Sequence, residues 1–377
     1  MGVRDVARNI DLLVAPALAG RDPFDQETVD ALLREVDGTL DKSRLGANAL
    51  LGVSLAVARA ASISLGLPLW RYLGGDEARV LPLPMVNVIS GGLHARGGVD
   101  FQDFLVIPVG ATTFSQALEM CVAVYAATAE VLSQRGLSTL KADEGGFGPA
   151  LRRNAEPLDV LLEAVHRAGL REEEHVAFAI DVAASHLYDP ATGLYRLDSE
   201  DKVYDAADLV QLLAALVDSH PIVSVEDGLA EDDWDGWQLL TKHLGDRVQL
   251  IGDDLFATNL TRLERGVATD AANAILVKMN QIGTLSETLT VIRRAQAAGF
   301  GTVVSARSGE TEDAVLADLA VATSAGQIKV GSVAQSDRLA KYNQLLRIEE
   351  ELGQAGVFAG PDALRPAGGS APARTRR

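Results

Sequence analysis

An α/β fold, with a parallel β/α barrel behind a mainly helical N-terminal segment, is what this sequence predicts, and three observations carry the prediction. From about residue 80, apolar runs of strand length alternate with longer helical patterns. Six of those runs end on an ionisable residue. Residues 1–66, by contrast, read as helices.

The helical part opens with the amphipathic VARNIDLLVAPAL and continues through QETVDALLREVD. It ends in LGANALLGVSLAVARAASISLGLP at 45–68, the most apolar stretch of the chain. Asn48, Ser54, Arg59, Ser62 and Ser64 interrupt that stretch, so it reads as a buried helix of small residues and not a membrane span, stopped by Gly66 and Pro68. The strand runs then follow: LPLPMVNVIS, FLVIPVG, VAFAID, IVSVED, VQLIGDD, AILVKMN, GTVVSARS and QIKVGS. Helical patterns such as DAADLVQLLAALVDS and LSETLTVIRRAQAAG lie between several of them, and their number favours a closed barrel. Three segments result: 1–77, 78–360 and a tail, 361–377, whose Pro, Ala, Gly and Arg lack periodicity and predict disorder.

The formal net charge of -18 argues against nucleic acid or an anionic membrane as partner, so an anionic ligand must be held by local cations or metals. A lone cysteine, Cys121, excludes an intrachain disulfide and a cysteine-based zinc site. The N-terminus lacks the basic start and apolar core of a secretory signal, and a cytoplasmic location is expected. P-loop, dinucleotide-binding and zinc-protease motifs are missing.

The residues that end the runs are Asp181, Glu226, Asp253, Lys278, Arg307 and Lys329. In a β/α barrel the C-terminal strand ends converge on one rim, where active sites are built. Singly, such a carboxylate is a helix cap or a solvated loop residue. Together, Asp181, Glu226 and Asp253 make an oxygen-rich site suited to Mg²⁺. Lys278 lies in a strongly apolar segment, where a depressed pKa would make it a base; pairing with a barrel carboxylate is the alternative. Glu144, in KADEGGFGP, is either an acid facing that lysine or an acidic loop residue. Among six histidines, His94 in SGGLHARGG has the glycine-rich setting of a ligand contact.

The segments SGGLHARGGVDFQDF, DEGGFGP, IDVAAS, SVED, GDDLFATN, LVKMNQIGTLSET, RSGETEDAVLADLAVAT, GQIKVG and LAKYNQLLRIEEEL resemble the enolase (phosphopyruvate hydratase) family across roughly residues 1–360. The resemblance implies an enolase-type β/α barrel preceded by a truncated, mainly helical N-terminal domain. It also implies a Mg²⁺-dependent lyase that interconverts 2-phosphoglycerate and phosphoenolpyruvate. By the same resemblance Lys278 is the base and Glu144 the acid, while Asp181, Glu226 and Asp253 hold Mg²⁺. Arg307 and Ser308 would bind phosphate, Lys329 the carboxylate end of the substrate, and His94, Gln102, Asp103 and Asp253 would complete the pocket. The implied partner is a small phosphorylated carboxylic acid, and the implied assembly a homodimer.

Departures from the family pattern accompany the match. Ala306 stands where the family has His, Asp103 where it has Glu, Gly228 where it has Pro, and His186 where it has Glu; GSVAQSDR replaces the usual Gly-Ala-Pro-Ala-Arg-Ser. Family members also begin with a β-meander and a mobile Ser-Gly-Ala-Ser-Thr lid, and this sequence starts after it: either Met1 is internal to a longer chain or the lid is lacking. Three functions are therefore expected in competition. They are an enolase, a specialised homologue acting on a related phosphonate or phosphate in the manner of carboxyphosphonoenolpyruvate synthase, and a non-catalytic enolase-like scaffold.

Overall fold

The computed structural model describes residues 3–364. Its N-terminal unit is helical, as the spacing predicts. Gln26–Asp37 is capped by Asp25, whose side chain accepts from the Thr28 N–H, and stops at Gly38, whose φ of 72° is the left-handed conformation glycine adopts freely. Val14, Val29, Leu33, Leu45, Ala49 and Leu50 form a small core shared with Ala47–Ser64. The latter helix is long and apolar enough to cross a membrane, yet its Ala49, Leu50, Leu55, Ala58 and Ala61 are buried within the protein. It docks on the barrel through Ser54 Oγ, which accepts from the Leu285 N–H at 3.0 Å. Asp30 likewise accepts from the Ser286 N–H at 2.8 Å, and Arg59 pairs with both oxygens of Asp313.

A nine-stranded sheet follows, in the spatial order Leu83–Pro84, Gly326–Lys329, Gly301–Ser305, Ala274–Val277, Gln249–Gly252, Ile222–Glu226, Ala177–Asp181, Asp103–Ile107 and Val86–Ser90. The two outermost strands are consecutive in the chain, so the segment 83–90 bridges the seam and closes the barrel. Met85 N–H donates to Ile328 and Asn87 N–H to Gly331 across that seam. Leu83, Met85, Leu105, Ile107, Ala179, Ile251, Ala274, Leu276 and Val303 fill the interior, and the helices between strands surround it.

The all-parallel expectation needs one correction. Asp103–Ile107 runs antiparallel to both of its neighbours, Val86–Ser90 and Ala177–Asp181. A parallel pair needs a crossover, usually helical, and residues 91–102 contain no helix. The inversion moves the first residue of that strand, not its last, to the catalytic rim: Asp103 lies opposite Asp181 on one side and Ser90 on the other. A second correction concerns the tail expected over 361–377. Residues 361–364 belong to the 3₁₀ turn Gly360–Leu364, and the Ala363 carbonyl accepts from Gln327 Nε2 at 2.8 Å. The remainder of that tail lies outside the described residues.

Candidate active site

The strand ends do converge. Asp181 and Glu226 are register partners at the ends of adjacent strands. Asp253, Lys278 and Arg307 lie one or two residues past Gln249–Gly252, Ala274–Val277 and Gly301–Ser305. Lys329 closes its own strand opposite Ser305. A cavity of about 310 Å³ opens there, lined by all of these except Glu226, together with His94, Gln102, Asp103, Glu144, Ala306 and Ser308.

Two buried lysines organise the floor. Lys329 Nζ lies 2.8 Å from Asp181 Oδ2 and 2.7 Å from Glu226 Oε2. Gln102 Nε2 adds a hydrogen bond to the same Asp181 oxygen at 3.3 Å. One ammonium cannot neutralise two buried carboxylates. Burial works to raise the Asp181 pKa, but Lys329, with Lys278 and His94, outweighs it and leaves Asp181 below its ordinary value, whereas burial and then the Asp181 charge push Glu226 well above its own. Lys278 Nζ donates to Asp253 Oδ2, and Asp253 Oδ1 accepts from Gln281 at 3.3 Å.

The depressed pKa expected for Lys278 is not found. Burial does disfavour its ammonium, but Asp253 and Glu226 outweigh burial and raise the pKa above the ordinary lysine value. The strand order explains this: Gln249–Gly252 and Ala274–Val277 are parallel neighbours, so the residue after each sits beside the other. With Asp253 free to hold it, Lys278 keeps its proton.

The opposite wall is built on the inverted strand. Asp103 is fully buried; its Oδ1 accepts from Asn87 Nδ2 at 2.6 Å, Ser90 Oγ at 2.8 Å and His94 Nδ1 at 3.0 Å. The other His94 nitrogen, Nε2, lies 2.9 Å from Ser308 Oγ, so one imidazole bridges Asp103 and the 307–308 segment. Burial works against a charge on His94, but Asp103 wins and its pKa is pushed up to about 9. The raised value means that His94 stabilises the fold fully below its unfolded pKa of 6.5 and that this stabilisation is lost as pH rises through about 9. Urea denaturation of the wild type should therefore show stability falling between those limits, and His94→Gln should flatten that part of the profile.

Glu144 reaches the cavity from the 141–148 loop, which is pinned to the barrel where Ser90 N–H donates to the Phe147 carbonyl and Phe147 N–H to that of Val88, both at 2.8 Å. Burial, helped by the Asp103 charge, raises the Glu144 pKa, which favours the protonated form an acid needs. Ala306 is 5 % exposed and presents a methyl group to the cavity between Ser305 and Arg307.

Residues without an expected role also shape the site. Asp227, buried at φ 43°, accepts from the Asp253 and Asp254 N–H groups at 2.9 and 2.8 Å and so fixes the turn that presents Asp253. Its signal in the sequence is the pairing of acids, Glu226-Asp227 and Asp253-Asp254, at the ends of adjacent strands. Asn87 and Ser90 carry no such signal, because their strand reads as plain barrel wall.

The donor set suits a hard divalent cation. Three carboxylates arrive from successive strands, and the buried Glu226 Oε1 has no hydrogen-bond partner. The ligand atoms that come within 4.8 Å of one another in groups are, among the described residues, His94, Asp103 and Glu144, and separately Asp227, Asp253 and Asp254. Asp181 and Glu226 are instead drawn to Lys329.

A β/α barrel with carboxylates and lysines converging at its strand ends defines a class of enzyme that handles protons beside stabilised negative charge, and comparison with known families narrows it. The enolase C-terminal TIM barrel domain matches residues 78–367, and the enolase N-terminal domain matches residues 1–73. The chain belongs to the enolase family and is a lyase of that superfamily.

Proposed function

We propose that this protein is a cytoplasmic, Mg²⁺-dependent lyase that interconverts 2-phosphoglycerate and phosphoenolpyruvate, working as a homodimer. The observation that carries the reading is the placement of Lys278 and Glu144 around one cavity, the lysine at a strand end and the acid on a loop anchored to the seam. Lys278, relieved of its pairing with Asp253 when that carboxylate turns to Mg²⁺, would stand as the neutral amine and take the proton from the carbon next to the substrate carboxylate, and Glu144 gives a proton to the departing hydroxide. A carbon acid beside a carboxylate ionises reluctantly, so the negative charge must meet cations already in place. Lys329 supplies one at the floor. Mg²⁺, held by Asp181, Glu226 and Asp253, would supply the rest as a Lewis acid. A lysine or histidine base working beside Mg²⁺ is the established precedent of this superfamily and not a result of this structure. Arg307 and Ser308 take the phosphoryl group, while His94, Gln102 and Asp103 close the pocket. The test is direct: phosphoenolpyruvate formation from 2-phosphoglycerate at saturating Mg²⁺, followed by its ultraviolet absorbance. No turnover by the purified wild type would end this reading.

A second reading, a related phosphonate or phosphate as substrate, is favoured by two observations. Ala306 offers no polar atom to the cavity wall. In addition, a second cavity of about 530 Å³ shares Leu93, Gln102, Ala183 and His186 with the first, so the site opens onto further space. The exposed Arg96 lines that second cavity. Ala306→His separates the two: a gain in 2-phosphoglycerate turnover of about tenfold or more, what one restored hydrogen bond of about 1.5 kcal/mol contributes, supports the hydratase. An unchanged or lower rate supports the larger substrate.

A further inference from the structure

Behind the segment that carries Arg307 and Ser308 lie two buried cations to which the reaction assigns no task. Arg338 and Lys341, three residues apart on one face of Ser336–Leu352, are both 0 % exposed. Arg338 Nη1 donates to the Arg307 carbonyl at 2.8 Å and Nη2 to the Ser308 carbonyl at 2.7 Å. Lys341 Nζ donates to the Thr311 carbonyl and, at 2.8 Å, to that of Asp337. The nearest carboxylates are Asp337, 2.8 Å from Arg338 Nε without the alignment of a hydrogen bond, and Glu310, 3.7 Å from Lys341. Burying two cations largely against neutral carbonyls is an expensive way to hold a surface loop, and apolar residues would do it at less cost.

The geometry shows what the expense achieves. Residues 306–314 belong to no helix or strand, and Arg307, Ser308 and Gly309 are exposed. In a planar trans peptide the C=O and the following N–H point in opposite directions. Fixing the Arg307 and Ser308 carbonyls on Arg338 therefore turns the N–H groups of Ser308 and Gly309 away from the helix. Neither N–H has an acceptor among the described residues. Two successive free N–H groups beside an arginine make the concave donor set that binds anions. Gly331 lets the guanidinium come this close, since a Cβ there would meet Arg338 Cδ and the Glu144 carbonyl, each at 2.9 Å.

We propose that Arg338 is the positioning residue of the anion-binding segment: by holding the Arg307 and Ser308 carbonyls it aims the Ser308 and Gly309 N–H groups at an oxygen of the phosphoryl or phosphonyl group, with Lys341 fixing the far end of the loop. This rests on the reading that Arg307 and Ser308 receive the anionic group. Gly309 allows a test that spares the core, because a Cβ there meets nothing within 4 Å and its φ is not in the left-handed region. Gly309→Ala keeps the N–H, and Gly309→Pro removes it. Calorimetric titration of inorganic phosphate into the Mg²⁺-loaded full chain should show affinity about tenfold weaker in Gly309→Pro, as expected for one lost charge-assisted hydrogen bond, and unchanged in Gly309→Ala. Arg338→Ala should weaken phosphate at least as much, with added guanidinium restoring affinity there and not in Gly309→Pro. Equal phosphate affinity in the proline and alanine variants, or no guanidinium rescue of a folded Arg338→Ala, overturns the proposal. Arg307→Ala serves as the reference: if it leaves phosphate affinity untouched, the underlying placement of the anion is wrong, whereas weakening there without weakening in Gly309→Pro refutes the N–H site alone.

Discussion

Lys278→Ala should lower turnover about a thousandfold, within the range that one positioned acid or base contributes. The loss should divide cleanly from that of Glu144→Gln. A proton removed by Lys278 can return before the hydroxide leaves, so the wild type should exchange the substrate's carbon-bound proton with deuterated solvent. Glu144→Gln should retain this exchange while losing elimination, and Lys278→Ala should lose both. Proton NMR of 2-phosphoglycerate in deuterated buffer measures the exchange directly. Exchange that survives in Lys278→Ala would assign the base elsewhere, with Lys329 as the other buried ammonium at the floor.

Lys329→Met carries the largest expected cost in stability. The substitution leaves Asp181 and Glu226, both nearly inaccessible, without their shared cation. Breaking a buried pair in this way costs about 3–5 kcal/mol. In the absence of metal, the midpoint of thermal unfolding should fall by on the order of 5 °C. Mg²⁺ should then raise the midpoint of Lys329→Met more than that of the wild type, because the two freed carboxylates gain a divalent partner. Calorimetry with and without chelator decides the matter; an equal Mg²⁺ response in both proteins would show that Asp181 and Glu226 are not ligands.

The strand-end residues are legible in the sequence because one rule covers them: in a β/α unit the last strand residue lies at the mouth. Asp181, Glu226, Asp253, Lys278 and Lys329 obey it. Asp103 is at the mouth for the opposite reason, and periodicity alone carries no mark of strand direction. What fixes that direction is the 91–102 connection, too short and too glycine-rich to return the chain as a helix. The charge state of Lys278 is not legible, because an apolar run reports burial along the chain and says nothing of a neighbour across the sheet. Arg338 is invisible on different grounds. In Ser336–Leu352 it reads as an ordinary helical arginine, and only the arrival of an irregular loop on that helix face gives its guanidinium two carbonyls to hold.

The inverted strand also makes the barrel uneven as material for change. Every parallel unit must carry the chain the full height of the barrel and back, so its connection is tied to the packing of a helix. The 91–102 connection leaves the mouth at Ser90 and re-enters it at Asp103, opposite each other in register. Val99 and Phe101 anchor it in the core, while Leu93, Arg96 and Gly97 are exposed, so recomposing those three alters the doorway with the walls in place. Those exposed positions, between a buried anchor and the cavity, are the natural starting point for a designed library of altered substrate preference.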